Sequence, residues 1–316
     1  MLPVRLRDFI GDADGWIYAV STYDNVDTIG GVLRYVPQPD GTRIHPSGRR
    51  YTKYDFEDAY AFIARHKPQY AGLLHRIPYA DVTKIYKPDQ EIGRIAATHP
   101  RVKKLVDLFS LPAGTIGCTG SLLCQLDDTT SDIDMVVYGK YWFTAQGLVQ
   151  QGIRDGKIEG LSADMWRKVY EKRKPEITYD QFVLHEMRKF NRGQIEGTYF
   201  DILYTRSYDE IRSAPAGKGD VIGKMTIEAR ITDASLAFDN PAVYLVEHES
   251  ISKVLSFTHT YSGQALDGET IEACGICEQH GNERWLIVGT TREARGEYII
   301  SKTLLEQDPL TEAGDS

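Results

Sequence analysis

The sequence predicts an α+β protein in three parts, and three patterns carry that prediction. Residues 1–95 mix strand-like and helix-like stretches, an α/β segment. Residues 96–215 run helix, strand, turn, helix, strand and then further helices, a central domain of mixed sheet with helices. Residues 221–316 lose the helical period and keep short strands, a small all-β barrel. At 316 residues the chain is long enough for two or three domains. Its 41% hydrophobic and 26% charged residues exclude global disorder.

In the first part, Gly15–Val20 and Gly31–Val36 read as strands because they are rich in β-branched and aromatic residues. Pro37-Gln38-Pro39-Asp40-Gly41 is turn chemistry, Asp55–Ala64 is helical in character, and Leu73–Ile77 is a further strand. The central part opens on a helix over His99–Phe109, where Val102, Leu105, Val106 and Phe109 share one face. Thr115–Thr119 is short and extended, Ser121–Leu126 is helical, and Ser131–Tyr138 is a strand. Helices are expected over Tyr141–Arg154, Ser162–Lys172 and Tyr179–Phe190, and a strand over Tyr199–Tyr204. Ser213–Asp220 reads as a linker. Beyond it, strands are expected over Lys224–Ile231, Ala242–Glu247, Thr270–Cys277 and Trp285–Val288.

No apolar run is long enough to span a membrane, and the first residues lack a signal-peptide pattern. With four cysteines and no such signal, a disulfide framework is not expected and a reducing cytoplasm is. A net charge of −8 argues against a protein that coats duplex nucleic acid. The acidity lies in residues 221–316, which hold seven Lys plus Arg against sixteen Asp plus Glu.

The chemistry-bearing pattern is Gly120-Ser121, then Asp132-x-Asp134, then Asp201 inside the apolar run Tyr199-Phe200-Asp201-Ile202-Leu203-Tyr204. Asp132 and Asp134 are two apart on a strand, so both side chains leave the same face. Like charges held that close cost energy unless a cation neutralises them. If the strand of Asp201 neighbours theirs, three carboxylates converge, which suits Mg²⁺ bridged to triphosphate oxygens. Gly120 lets backbone approach phosphate, and the Ser121 hydroxyl can donate to it.

The run Gly120-Ser121-Leu122-Leu123-Cys124-Gln125-Leu126-Asp127-Asp128-Thr129-Thr130-Ser131-Asp132-Ile133-Asp134-Met135-Val136-Val137 resembles the core motif of the DNA polymerase β-like nucleotidyltransferase superfamily. It looks most like the stand-alone archaeal members. The resemblance implies a nucleotidyltransferase fold for the central domain. It also implies catalytic and metal-binding roles for Asp132, Asp134 and Asp201 around two Mg²⁺ (or Mn²⁺) ions, and a triphosphate contact at Gly120 and Ser121. Many relatives have a small residue, Arg and Gly where this chain has Leu123-Cys124-Gln125, so the cation such an Arg supplies is missing from the motif. The implied reaction moves an NMP from an NTP, ATP foremost, to an acceptor hydroxyl of RNA, protein or a small molecule, with release of pyrophosphate. The alternative is a non-catalytic nucleotide- or RNA-binding scaffold on a retained fold.

Other features weigh less. The basic stretch Arg167–Arg192 is either a solvated helical face or a cationic wall for triphosphate, with Lys189 and Arg192 nearest Asp201 in sequence and so the nucleotide-binding candidates. Cys274-Gly275-Ile276-Cys277 with His280 lacks the second pair that a zinc site needs. Cys118 and Cys124 read as core residues, as do the tyrosines of the first segment, including Tyr35, Tyr51, Tyr54 and Tyr60. The C-terminal barrel resembles oligonucleotide-binding (OB-like) folds, but its acidity points to a docking or protein-contact role.

Overall fold

The computed structural model describes residues 3–211, 217–290 and 295–307. Its α+β architecture divides into two compact units, Met1–Glu159 with Asn191–Pro215, and Gly160–Phe190 with Ala216–Ser316. This differs from the expected parts 1–95, 96–215 and 221–316. The first two parts share one unit, and residues 160–190 go with the barrel. Ser213–Ala216 of the expected linker lie outside the described residues.

The first unit begins with β1 (Phe9–Asp12), β2 (Ile17–Val20), β3 (Thr28–Pro37), β4 (Arg43–Ile44) and β5 (Arg50–Lys53). After α1 (Phe56–His66) come β6 (His75–Pro78) and β7 (Val82–Tyr86). These strands form one sheet in the order β4-β5-β3-β2-β1-β7, with β6 also on β3. Asp55 caps α1, its side chain accepting from the Asp58 N–H, and Ala59 and Ile63 bury the helix face. One sheet face, with Ile10, Tyr18, Leu33 and Val36, makes a core with Ala59 and Ile63 of α1.

The chain continues through α2 (Pro88–Thr98), α3 (Pro100–Phe109), β8 (Ile116–Cys118), α4 (Gly120–Cys124), β9 (Ile133–Tyr138) and α5 (Tyr141–Arg154). It returns to this unit with β10 (Arg192–Ile195) and β11 (Thr198–Thr205). The second sheet has the order β10-β11-β9-β8, with β9 and β11 parallel. Trp142 of α5 is fully buried, and its indole N–H donates to the Ile202 carbonyl at 3.3 Å, fixing the strand that carries Asp201. The other face of the first sheet, with Phe9, Ile17, Tyr35 and Tyr51, packs on Leu123, Cys124 and Leu126. That shared core is why residues 1–95 are no separate domain.

The second unit holds α6 (Ala163–Arg173) and α7 (Tyr179–Arg188). Its strands are β12 (Asp220–Leu236), β13 (Ala242–Glu247), β14 (Lys253–Ser256), β15 (Thr270–His280), β16 (Glu283–Val288) and β17 (Tyr298–Ser301), followed by α8 (Lys302–Glu306). Thr178 and Gln181 form a capping box that starts α7. The strand order is β12-β13-β14-β16-β15-β17, and β12 also pairs with β15, so five strands close into a ring. The 17-residue length of β12 allows this, because one end pairs with β15 and the other with β13. Among the described residues no helix is long and apolar enough to cross a membrane.

Candidate active site

Gly120, Ser121, Asp132, Asp134 and Asp201 all belong to the first unit. Strand β8 delivers the chain to Thr119, whose N–H bonds the Asp134 carbonyl at 2.8 Å and whose hydroxyl donates to the Arg7 carbonyl at 2.7 Å. Gly120 then turns with φ +69°, a left-handed conformation that suits glycine. A Cβ there would lie 2.5 Å from Asp134 Oδ2, so glycine is required twice over. Helix α4 has only five residues, so little macrodipole builds up at its start. What the turn offers is close backbone approach and the hydroxyl of half-buried Ser121.

Across the sheet, parallel pairing sets Asp201 opposite Asp134. Parallel neighbours in register point to the same face, about 4.8 Å apart along the hydrogen-bonding direction. Asp134 is half-buried and Asp132, just before β9, is exposed. Burial pushes the Asp134 carboxyl up to about 6, helped by the charges of Asp201 and then Asp132, while Arg7 and Lys53 oppose the rise. Asp134 therefore feels the charges of both Asp201, beside it on the paired strand, and Asp132, just before its own strand.

Tyr199 donates to Asp201 Oδ2 at 2.9 Å, and Arg192 Nε lies 3.5 Å from Oδ1. Oδ1 is nonetheless buried without a hydrogen bond. A buried carboxylate oxygen left that way is costly unless another partner takes it up. All-oxygen carboxylate donors, an orphaned oxygen and a carboxyl pushed up by burial and by neighbouring charges fit a hard divalent cation such as Mg²⁺. Among the described residues no three His, Cys, Asp or Glu side chains are drawn close enough to hold a metal in this conformation.

The two cation candidates have different fates. Arg192, on β10, stands in register with Asp201 and is buried beside it. Lys189 belongs to the second unit, where its fully buried ammonium bonds Glu186 Oε1 at 2.6 Å and the Thr260 carbonyl at 2.8 Å. Its expected phosphate contact is thus corrected to an internal ion pair, because a buried lysine needs a fixed anion. Much of the basic stretch is spent in the same way. Arg188 forks onto Glu269 at 2.6 and 2.9 Å, and Arg173 reaches Glu186 at 3.3 Å. Elsewhere in that unit, Cys274 and Cys277 are buried in β15, and His280 stacks on Trp285 with ring centroids 3.7 Å apart.

Sequence reasoning missed the residues that the first sheet brings to this edge. Arg43 pairs with Asp128 at 2.7 Å and donates to Ser131 Oγ at 3.2 Å, tying down the loop between α4 and β9. Arg7 and Lys53 act on the Asp134 charge, and Tyr35 feels it. Nothing in their local sequence distinguishes them from surface cations and core aromatics.

The fold and site define an α+β chain with a Gly-Ser turn set against an acidic strand pair. It belongs to the same family as the "Uncharacterized protein MJ1086" of Methanocaldococcus jannaschii, to which it is 37% identical over 339 aligned positions, covering 95% of this chain and 100% of that one. No family model and no solved structure matches the chain.

Proposed function

We propose that the protein is a metal-dependent nucleotidyltransferase that moves an NMP from an NTP, ATP foremost, to an acceptor hydroxyl of RNA, protein or a small molecule. The observation that carries this reading is the in-register pairing of Asp201 with Asp134 beside the Gly120 turn. Asp132, Asp134 and Asp201 are the residues that would hold two Mg²⁺ (or Mn²⁺) ions. Bound there, such ions supply charge neutralisation for the triphosphate and lower the pKa of the attacking hydroxyl.

The residues divide the remaining work. Ser121 donates a hydrogen bond to a triphosphate oxygen, and Gly120 keeps side-chain bulk out of the approach. The acceptor oxygen forms its bond to the α-phosphorus as the bond to the bridging oxygen breaks. Pyrophosphate leaves with that electron pair, and the hydroxyl proton passes to the Asp201 carboxylate. Tyr199 and Arg192 orient Asp201 for this.

The finer architecture belongs to the same proposal. The central sheet β10-β11-β9-β8 supports a polymerase-β-like nucleotidyltransferase core. The closed five-strand ring, with parallel β14 and β16, supports an OB-like barrel. Its acidity favours protein contact over nucleic acid. A cytoplasmic setting suits an ATP-consuming enzyme with four free, buried cysteines.

Incubation of the full chain with each labelled NTP, Mg²⁺ and a mixed pool of RNA, protein and small-molecule hydroxyls tests the activity. Labelled acceptor with stoichiometric pyrophosphate is the expected result. No transfer with any NTP and either metal would overturn the reading.

A further inference from the structure

The Gly-Ser motif brings no cation of its own, since Leu122, Leu123 and Cys124 follow it into the core. A polyphosphate held against protein needs charged hydrogen-bond donors. We propose that Arg34 and Lys53, both on the N-terminal sheet, form the cationic wall of the site and bind the polyphosphate of the nucleotide, an assignment that rests on the nucleotidyl-transfer reading.

Both residues belong to the sheet whose face with Tyr35 and Tyr51 packs on α4 and the residues after it. Lys53 stands in register with Tyr35 across β5 and β3, and two residues from Tyr51 along β5. Residues so related share a face. Tyr35 and Tyr51 pack on Leu123, Cys124 and Leu126, so Lys53 lies on the face turned toward α4. Its side chain reaches solvent there rather than entering the core.

Arg34 reaches the same face through a bulge. Ile17 pairs with Tyr35 and Tyr18 with Leu33, which leaves Arg34 as the extra residue of β3. Leu33 and Val36 consequently both enter the core under α1, while Tyr35 enters the core under α4. Strict alternation would have sent Arg34 to the α1 side with Val36. The bulge sets it half-buried beside Tyr35, where its charge is felt by Cys124 of α4, while its guanidinium also lies 5.7 Å from the ring centroid of Phe56 at the start of α1.

Neither side chain has a hydrogen bond or ion pair among the described residues, whereas Arg43 is spent on Asp128, Ser131 and the Leu126 carbonyl. The cations also crowd one another. Burial, then the charges of Arg34 and Arg43, push the Lys53 ammonium down, against the pull of Asp134 and Asp128. Unneutralised cations beside a carboxylate group make a two-sided site, with metal on the acidic side and phosphate on the basic side.

Titration calorimetry of the full chain with inorganic tripolyphosphate, in the presence of Ca²⁺, tests the assignment. Each of Arg34→Gln and Lys53→Gln should weaken binding about tenfold, the double variant should lose more, and Lys53→Arg should retain most of it. Adenosine, which has no phosphate, should bind all four variants as it binds the wild type. Amine-reactive labelling of the unmutated protein supplies a readout that does not depend on a variant's folding, because tripolyphosphate should shield Lys53. Unchanged affinity in the double variant, unshielded Lys53 or no tripolyphosphate binding by the wild type would overturn the proposal. Unchanged affinity beside normal pyrophosphate release removes this wall and leaves the transfer reading intact. Weakened affinity in a protein that transfers nothing keeps the wall and removes the transferase.

Discussion

Asp201 stands opposite Asp134 in the parallel pair formed by β11 and β9, so two strands from distant parts of the chain present carboxylates to one edge. Burial raises the proton affinity of Asp134, and the charge of Asp201 raises it further. A site of this kind stores repulsion that a divalent cation, on the reading proposed above, would relieve. The same arrangement separates activity from stability.

Asp134→Asn should therefore abolish transfer while the metal-free melting temperature holds or rises, because a half-buried like charge is removed. Asp132→Ala and Asp201→Asn should behave alike in the transfer assay. Pyrophosphate release and metal-free thermal melts are the two measurements. A rate above about a tenth of wild type in any of the three would sink the two-metal assignment.

Gly120→Ala tests the turn. The new methyl meets both a φ of +69° and the Asp134 carboxylate at 2.5 Å. We expect a loss of about 1–3 kcal/mol in urea unfolding, together with weakened binding of divalent ions as Asp134 is displaced. Wild-type stability and metal affinity in this variant would show that the turn is not built around that contact.

Ser121→Ala should leave the fold unchanged and weaken NTP binding by roughly 1.5–3 kcal/mol, the worth of one hydrogen bond to a charged group. Titration of NTP with Ca²⁺ present, which limits turnover, measures this directly. Equal affinities would move the phosphate contact elsewhere.

The fourth prediction concerns acid stability through His185 of the second unit. Its Nδ1 lies 2.6 Å from the Gln181 carbonyl and its Nε2 accepts the Ser301 N–H at 2.9 Å, so the buried ring is held neutral. Burial lowers its pKa from 6.5 to about 4. Between those values the unfolded chain binds the proton and the folded chain does not. Stability is thus full above about 6.5 and falls as pH drops toward 4, by on the order of 3 kcal/mol from this ring. In the first unit His75, lowered to about 4, adds a loss of the same sign. Asp8, raised to about 6 by burial beside Lys87, opposes it over that range. Following the His185 ring resonance by NMR, alongside urea melts of the full chain, checks the assignment. A ring that titrates near 6.5 in the folded protein would refute it.

How much of this was legible beforehand depends on the distance over which each feature is decided. The sequence by itself determined the Gly120-Ser121 turn, the strand that carries Asp134, and the helix over Tyr141–Arg154, because each follows from patterns within a few residues. It also marked Asp201 as a charge in an apolar strand. Only the tertiary structure decided that β11 lies beside β9 in the register that matches Asp201 to Asp134. It likewise sent Lys189 into a buried pair with Glu186 instead of to the site. Above all, it decided that a bulge in β3 takes Arg34 out of strict alternation. One inserted residue reverses the face of everything beyond it, and what stands opposite a strand is fixed by packing between segments far apart in the chain. Local patterns carry no record of that packing.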